Sequence, residues 1–312
     1  MKIKKWNNLQ ISFIAIFISI AVIMLIIAVR LAPFTILPTF RQSIIGLPIK
    51  ITGFIFGPVI GFLTGLLSDL IAFLFIPGVY SYWYTIYMAI TGLIPGLFFW
   101  LFIKQGKKWF EKENLLKKLE IKINYLKSNA LLLEDFQKRE KENKKIKLYE
   151  AKFQKISNWK NEKSLINFYW IASTIILLII MVSIVLGVSF STVDFSKFKL
   201  VKNKLGFIIL ILFGTSTMTT FLFVARFSNF FLKKDRYLTM VPIVAFSAVH
   251  EPIASLISAQ GDVQSGALVD FSTALLTRLI TSPVKIWTNL SIIYFTSRVI
   301  IPLVHKKISY NI

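Results

Sequence analysis

Apolar residues fall in long blocks along this chain, and polar residues gather between them. The blocks lie at about 11–32, 44–76, 84–103, 167–190, 205–231, 238–259 and 267–304. A bilayer core of ~30 Å needs ~20 mostly apolar residues per spanning helix, so this pattern predicts membrane helices. Block 44–76 is too long for one helix without strong tilt. Its natural break is Gly57-Pro58, because proline has no N–H to donate and disfavours helix in the residue before it. The expected result is a hairpin of two short helices, 44–56 and 58–76. Parity agrees: with a reversal here, the Lys-rich segment after Trp100 lies on the side of the Lys-rich N-terminus, as positive-inside bias requires. Short helices with freed backbone groups must be buried in protein or line a cavity. The last block is expected to bend near Pro283. The reading totals about eight spans in the cell membrane, with both termini cytoplasmic.

One stretch breaks the pattern. Residues 104–163 mix Lys, Glu, Leu and Ile, with apolar positions at helical spacing and frequent Glu–Lys neighbours. They predict a cytoplasmic helical hairpin, either a solvated spacer beside anionic lipid or a specific docking element. The chain therefore divides into 1–103 (about four spans), 104–164 (basic insertion), 165–235 (a further pair of spans) and 236–312 (the last pair with a basic tail).

Glycines fall every fourth position at Gly53, Gly57, Gly61 and Gly65. Such spacing places them on one helix face, where backbones approach closely in lipid. Ala15 and Ser19 form a similar small-residue pair in the first span. Composition supports the membrane reading: 312 residues are 55% hydrophobic, with mean hydropathy +0.66. The formal net charge of +22 sits between the apolar blocks, which fits orientation and anionic headgroups better than nucleic acid. The chain has no cysteine, which excludes disulfides and thiolate chemistry. It has no GxxxxGK[ST] phosphate loop, no HExxH and no GxSxG. No cofactor, metal site or catalytic residue is expected, and ATP hydrolysis is expected in partner subunits.

Charges inside the blocks or at their edges need partners, water or a ligand. Arg41, Lys50, Asp69, Glu251, Arg278 and Lys285 are such charges. Arg278 and Lys285 are a heptad apart and share roughly one face. Their anionic partner is Asp69, Glu251 or a bound anion, and snorkelling to headgroups is the alternative, mainly for Lys285. Cations outnumber carboxylates, which favours an anionic ligand. His250 and Glu251 are adjacent on a helix, so they face different ways and cannot chelate one ion together. They are either a hydrogen-bonded pair at a kink or a catalytic or proton-relay pair. Tyr80, Tyr82, Trp83, Tyr84 and Tyr87 are expected as an outer aromatic cluster. That cluster is either an interfacial belt or a stacking surface for a planar ligand.

A family likeness joins these residues. Phe40-Arg41-Gln42-Ser43, Gly46-Leu47-Pro48-Ile49, Gly53-Phe54-Ile55-Phe56-Gly57-Pro58-Val59-Ile60-Gly61, Gly65-Leu66-Leu67-Ser68-Asp69-Leu70 and Pro77-Gly78 follow one another in order. The succession resembles the substrate-binding S component of energy-coupling factor (ECF) vitamin transporters, the folate type most closely. Leu276-Thr277-Arg278-Leu279-Ile280-Thr281-Ser282-Pro283 is similar to that type's last helix. The likeness covers about 11–103 well and 236–304 loosely. It implies a six-helix core binding a vitamin at its outer side, carried here with two extra transmembrane helices and the cytoplasmic insertion, all-α throughout. It also implies a coupling membrane protein and two ATPases as partners, with Ala15 and Ser19 on the face toward the coupling protein. Ser19 in place of alanine and the insert 104–231 depart from the family pattern. A folate-like ligand has carboxylates and a flat ring, which suit cations and aromatic faces. The expected substrate contacts are Arg41, Gln42, Ser43, Lys50, Asp69, Tyr80, Tyr84 and Arg278. Alternatives are an S component for another vitamin such as riboflavin, an intramembrane enzyme using His250 and Glu251, and a structural or lipid-interacting protein.

Overall fold

The computed structural model describes residues 8–30, 45–75, 80–110, 112–132, 136–158, 163–190, 203–227, 234–268 and 270–309. These residues are helical with no strand, and four helices are long and apolar enough to cross a membrane: Tyr82–Phe110, Ser164–Ser189, Lys204–Phe227 and Arg236–Gln264. Shorter apolar helices occupy Ile11–Ile27, Leu47–Phe56 and Pro58–Phe73. The architecture is that of an all-α membrane protein. The chain forms two compact units, one from Met1–Trp100 with Ala172–Ile312 and one from Leu101–Ile171.

The larger unit begins with α1 (Asn8–Arg30), α2 (Leu47–Phe56), α3 (Pro58–Phe73) and α4 (Tyr82–Phe98). Between α2 and α3 the backbone reverses at Gly57, with φ 101° and ψ 178°. Only glycine takes up that conformation at no steric cost, and Pro58 then starts α3 where its missing N–H is no loss. The reversal is tight. A Cβ on Gly61 would sit 2.6 Å from Gly53 Cα and 2.2 Å from the Gly92 carbonyl oxygen, so α2, α3 and α4 meet backbone to backbone. Gly65 meets Met88 and Ala89 in the same way, and Gly96 meets Pro58. Among these helices the glycine spacing therefore serves dispersion contact, the main driver of helix association where lipid is as apolar as leucine. One core cluster joins Ala21, Val22 and Leu25 of α1 to Ile45, Ile49, Ala72, Tyr87, Met88 and Ala254.

After the insertion the chain continues through α8 (Lys163–Ser189), α9 (Lys204–Phe227), α10 (Lys234–Gln264), α11 (Phe271–Ile280) and α12 (Ser282–Ser309). Here α10 packs on α4, α11 and α12. It runs on past the end of block 238–259, through Gln260-Gly261-Asp262 to Gln264. It closes at Gly266, where the amides of Ala267 and Leu268 both donate to the Asp262 carbonyl. The last block is two helices broken at Thr281, with Ser282-Pro283 opening the second. Asp270 caps α11 by accepting from the Ser272 and Thr273 amides at 3.2 and 2.9 Å, which satisfies donors that every helix start leaves free.

The smaller unit begins within a π-helical stretch, Phe99–Gly106, and continues through α5 (Lys107–Phe110), α6 (Lys112–Leu132) and α7 (Phe136–Ser157). Helices α6 and α7 pair through Leu126, Ala130, Ile146 and Tyr149. At its base Phe168 stacks on Phe110 and Tyr169 donates to the Phe102 carbonyl at 2.9 Å.

Candidate functional site

Helix α10 carries Glu251, Ser255, Ser258 and Asp262 at steps of four, three and four. Those steps keep all four on one face. The face is buried in the bundle and looks onto α11 and α12, where Arg278 and Lys285 answer it. Lys285 Nζ lies 2.5 Å from Glu251 Oε1, both side chains being buried. Arg278 holds Asp262 through two donors: Nε to Oδ2 at 2.9 Å, and Nη2 to Oδ1 and Oδ2 at 2.8 and 2.6 Å. The planar guanidinium matches a carboxylate in this forked geometry, which lysine cannot do. The expected partner for Arg278 was sought among Asp69, Glu251 and a bound anion; the structure corrects this to Asp262. Lys285 is paired with Glu251 at depth and does not snorkel to a headgroup.

The Asp262 end is a polar knot. Tyr84 Oη donates to Asp262 Oδ1 at 2.7 Å, and Ser81 Oγ donates to Gln264 Oε1 at 2.7 Å. The start of α4 is thereby tied to the end of α10. Gly261 permits the approach, since a Cβ there would meet the Tyr84 ring at 2.9 Å. Nearby on α3, Asp69 accepts from Thr85 Oγ1 at 2.5 Å, and Tyr80 Oη lies 2.6 Å from the same Thr85 oxygen. With the Thr85 proton committed to Asp69, the tyrosine is the donor, and a chain Tyr80–Thr85–Asp69 results.

The Glu251 end sits deeper. Lys50 of α2, 2% exposed, joins Glu251, His250, Phe246, Ser247, Ile286 and Asn289 around a cavity of about 10 Å³, roughly the room one water needs. A second cavity of that size lies between the two ion pairs, bounded by Tyr87, Glu251, Ser255, Ser258, Arg278 and Lys285. Ser247 Oγ and Ser255 Oγ find no hydrogen-bond partner among the described residues. His250 Nε2 lies 3.0 Å from Thr91 Oγ1. His250 and Glu251 thus have separate partners on different helices.

The sequence-predicted residues therefore divide. Lys50 and Arg278 belong to the buried charge network. Tyr84 touches that network through Asp262, and Asp69 and Tyr80 share Thr85. Arg41, Gln42 and Ser43 lie outside the described residues. Ala15 and Ser19 are exposed on α1, with Ser19 Oγ donating back to the Ala15 carbonyl at 2.9 Å. The expected outer aromatic cluster separates: Tyr82 and Trp83 pack together with ring centroids 5.1 Å apart, Tyr80 packs on Phe73, and Tyr87 is buried beside His250. Along a helix, residues five apart such as Tyr82 and Tyr87 point in different directions, so the whole run does not share one surface. Among the described residues of the network, Lys285 faces Glu251, Arg278 faces Asp262, and Lys50 lines the cavity beside Glu251. Asp262 and Thr85 are the residues that sequence reasoning missed. The four-three-four spacing from Glu251 to Asp262 was the available signal for the first.

Among the described residues no group of three or more His, Asp or Glu side chains is placed to hold a metal ion. The chain matches no family model, no curated protein and no solved structure.

Proposed function

We propose that this chain is the membrane-embedded substrate-binding subunit of an ECF-type importer for a vitamin, folate being the first candidate. In this reading the ligand binds at the outer side. It is released inward when the chain works with a coupling membrane protein and two ATPase subunits, which supply ATP hydrolysis. The observation that carries the reading is the reversal at Gly57, which folds two half-length helices against Gly92 and brings Lys50 into the bundle as a buried charge. A hairpin of this kind suits a solute pocket better than a lipid-facing scaffold, because short broken helices persist only when buried or lining a cavity. The paired Arg278–Asp262 and the chain Tyr80–Thr85–Asp69 supply forked and hydroxyl contacts for such a ligand. A ligand carboxylate that competes with Asp262 for Arg278 is the expected mode of engagement there.

The test is equilibrium binding of labelled folate to the purified full-length protein. Saturable binding, lost in Arg41→Ala and resistant to excess riboflavin, is the expected result. Displacement by riboflavin instead moves the assignment to another vitamin. Absence of binding for every member of a vitamin panel, with no coupling protein or ATPases co-purifying, ends the proposal.

A further inference from the structure

Helix α6 is apolar on two sides. One side, with Leu126 and Ala130, is buried against α7. The other carries Ile121, Tyr125 and Leu132, which are 61, 56 and 82% exposed. Their spacing of four and seven keeps them on a single face, away from α7. An amphipathic helix in a two-helix hairpin needs only one apolar stripe, and this second stripe stays exposed among the described residues of the unit. Leu131 near the end of α6 and Phe136 at the start of α7 are also more than three-quarters exposed.

The charge around the stripe names its partner. Residues 104–164 hold 18 Lys and Arg against 9 Asp and Glu. Lys117 flanks the stripe on one side and Lys122 on the other, with the Lys122 ammonium 5.5 Å from the Tyr125 ring. Apolar side chains framed by lysines are the surface of a helix that lies in a headgroup plane, its apolar face at the acyl boundary and its lysines on anionic lipid. Nucleic acid fits worse. The basic side chains are lysines with a single arginine, Arg139, and Tyr125 is the only aromatic on the stripe, whereas single strands are bound by rows of stacking rings. The unit is also tethered. The apolar spans Tyr82–Phe110 and Ser164–Ser189 run directly into it at both ends, so its concentration at a bilayer is built in.

We infer that the α6–α7 hairpin lies on the membrane surface, with the Ile121–Tyr125–Leu132 face against anionic lipid. The hairpin is then a surface anchor and not a free spacer. The inference is independent of which solute the membrane unit carries.

The chain has no cysteine, so single labels are clean. The full-length protein is placed in nanodiscs of phosphatidylcholine alone, or of phosphatidylcholine with phosphatidylglycerol. In each, a fluorophore is attached at Tyr125→Cys or at Lys144→Cys, the latter exposed on the far side of α7. Lipids brominated in the acyl chain quench by contact. The expected result is quenching of the label at 125 in the anionic discs, with little at 144. Lys117→Glu with Lys122→Glu in the 125-labelled background lowers occupancy by about fivefold for each lysine lost. Circular dichroism of the variants checks that the hairpin is intact. Equal quenching at both positions, equal quenching in neutral and anionic discs, or none at 125 overturns the inference. So does protection of 125 by added RNA or protein in lipid-free detergent.

Discussion

Replacing Gly92 by alanine tests the contact on which the membrane unit is built. A Cβ there would fall 1.9 Å from the Gly61 carbonyl oxygen and 3.0 Å from Gly61 Cα. Real Cβ atoms stay beyond 3.0 Å, so α3 and α4 must part by roughly 1 Å, a gap that forfeits up to about half of each dispersion contact across the seam. The obstacle is backbone, which cannot turn aside like a side chain. Overpacking costs about 1–3 kcal/mol in ordinary cores, and this site belongs at or above the top of that range. On the scale of a large soluble domain, about 3 kcal/mol is a fall of roughly 6–12 °C in Tm. The assay is thermal unfolding of the purified protein in detergent, followed by circular dichroism and by loss of the monodisperse peak. Gly187→Ala is the control, because nothing lies within 4 Å of its Cβ and alanine is the better helix former. If Gly92→Ala melts with the wild type, the three helices do not meet as described and the argument from glycine spacing fails.

Other substitutions probe other parts. Gly57→Ala forces a side chain into a backbone at φ 101° and ψ 178°, a conformation that is essentially glycine's alone, and is expected to cost about 1–3 kcal/mol, read in the same melt. Asp262→Asn leaves the Arg278 guanidinium buried without its counter-charge, a loss of ~3–5 kcal/mol. Adding Arg278→Gln is expected to recover part of that loss, and additive losses in the double-mutant cycle would deny the coupling. Glu251→Gln and Lys285→Met form a second cycle with the same expectation, measured by resistance to denaturing detergent. Thr85→Val removes the donor to Asp69 and the acceptor for Tyr80 and is expected to cost ~1–3 kcal/mol; hydrogen exchange at the start of α4 reads it locally.

The helical, membrane-like character of the chain was plain in its apolar blocks, because lipid leaves a spanning segment few alternatives to a helix. The interruption at Gly57-Pro58 was visible for a covalent reason: proline cannot donate, and glycine alone turns freely there. The pairing of charges was harder. A hydropathy profile ends the tenth helix near Ala259, since Gln260, Gly261 and Asp262 are polar. In the structure Asp262 faces inward onto Arg278 and Gly261 lies against the Tyr84 ring, so two of the residues that suggest a loop are ones the helix buries. Lys285 shows the reverse difficulty: a long side chain invites snorkelling on paper, but Glu251 at 2.5 Å holds it at depth. The Tyr80–Thr85–Asp69 chain could not be read at all, because a threonine inside an apolar block gives no sign of which neighbour its hydroxyl will meet.

The two ion pairs between α10 and the last two helices act as a latch on sliding. A slip of one helical turn is about 5.4 Å, and it would part Glu251 from Lys285 and Asp262 from Arg278 together, stranding four charges away from water. Movement of this part of the molecule during any working cycle is therefore confined to tilting as a block. The freedom to rearrange falls to segments outside that clasp.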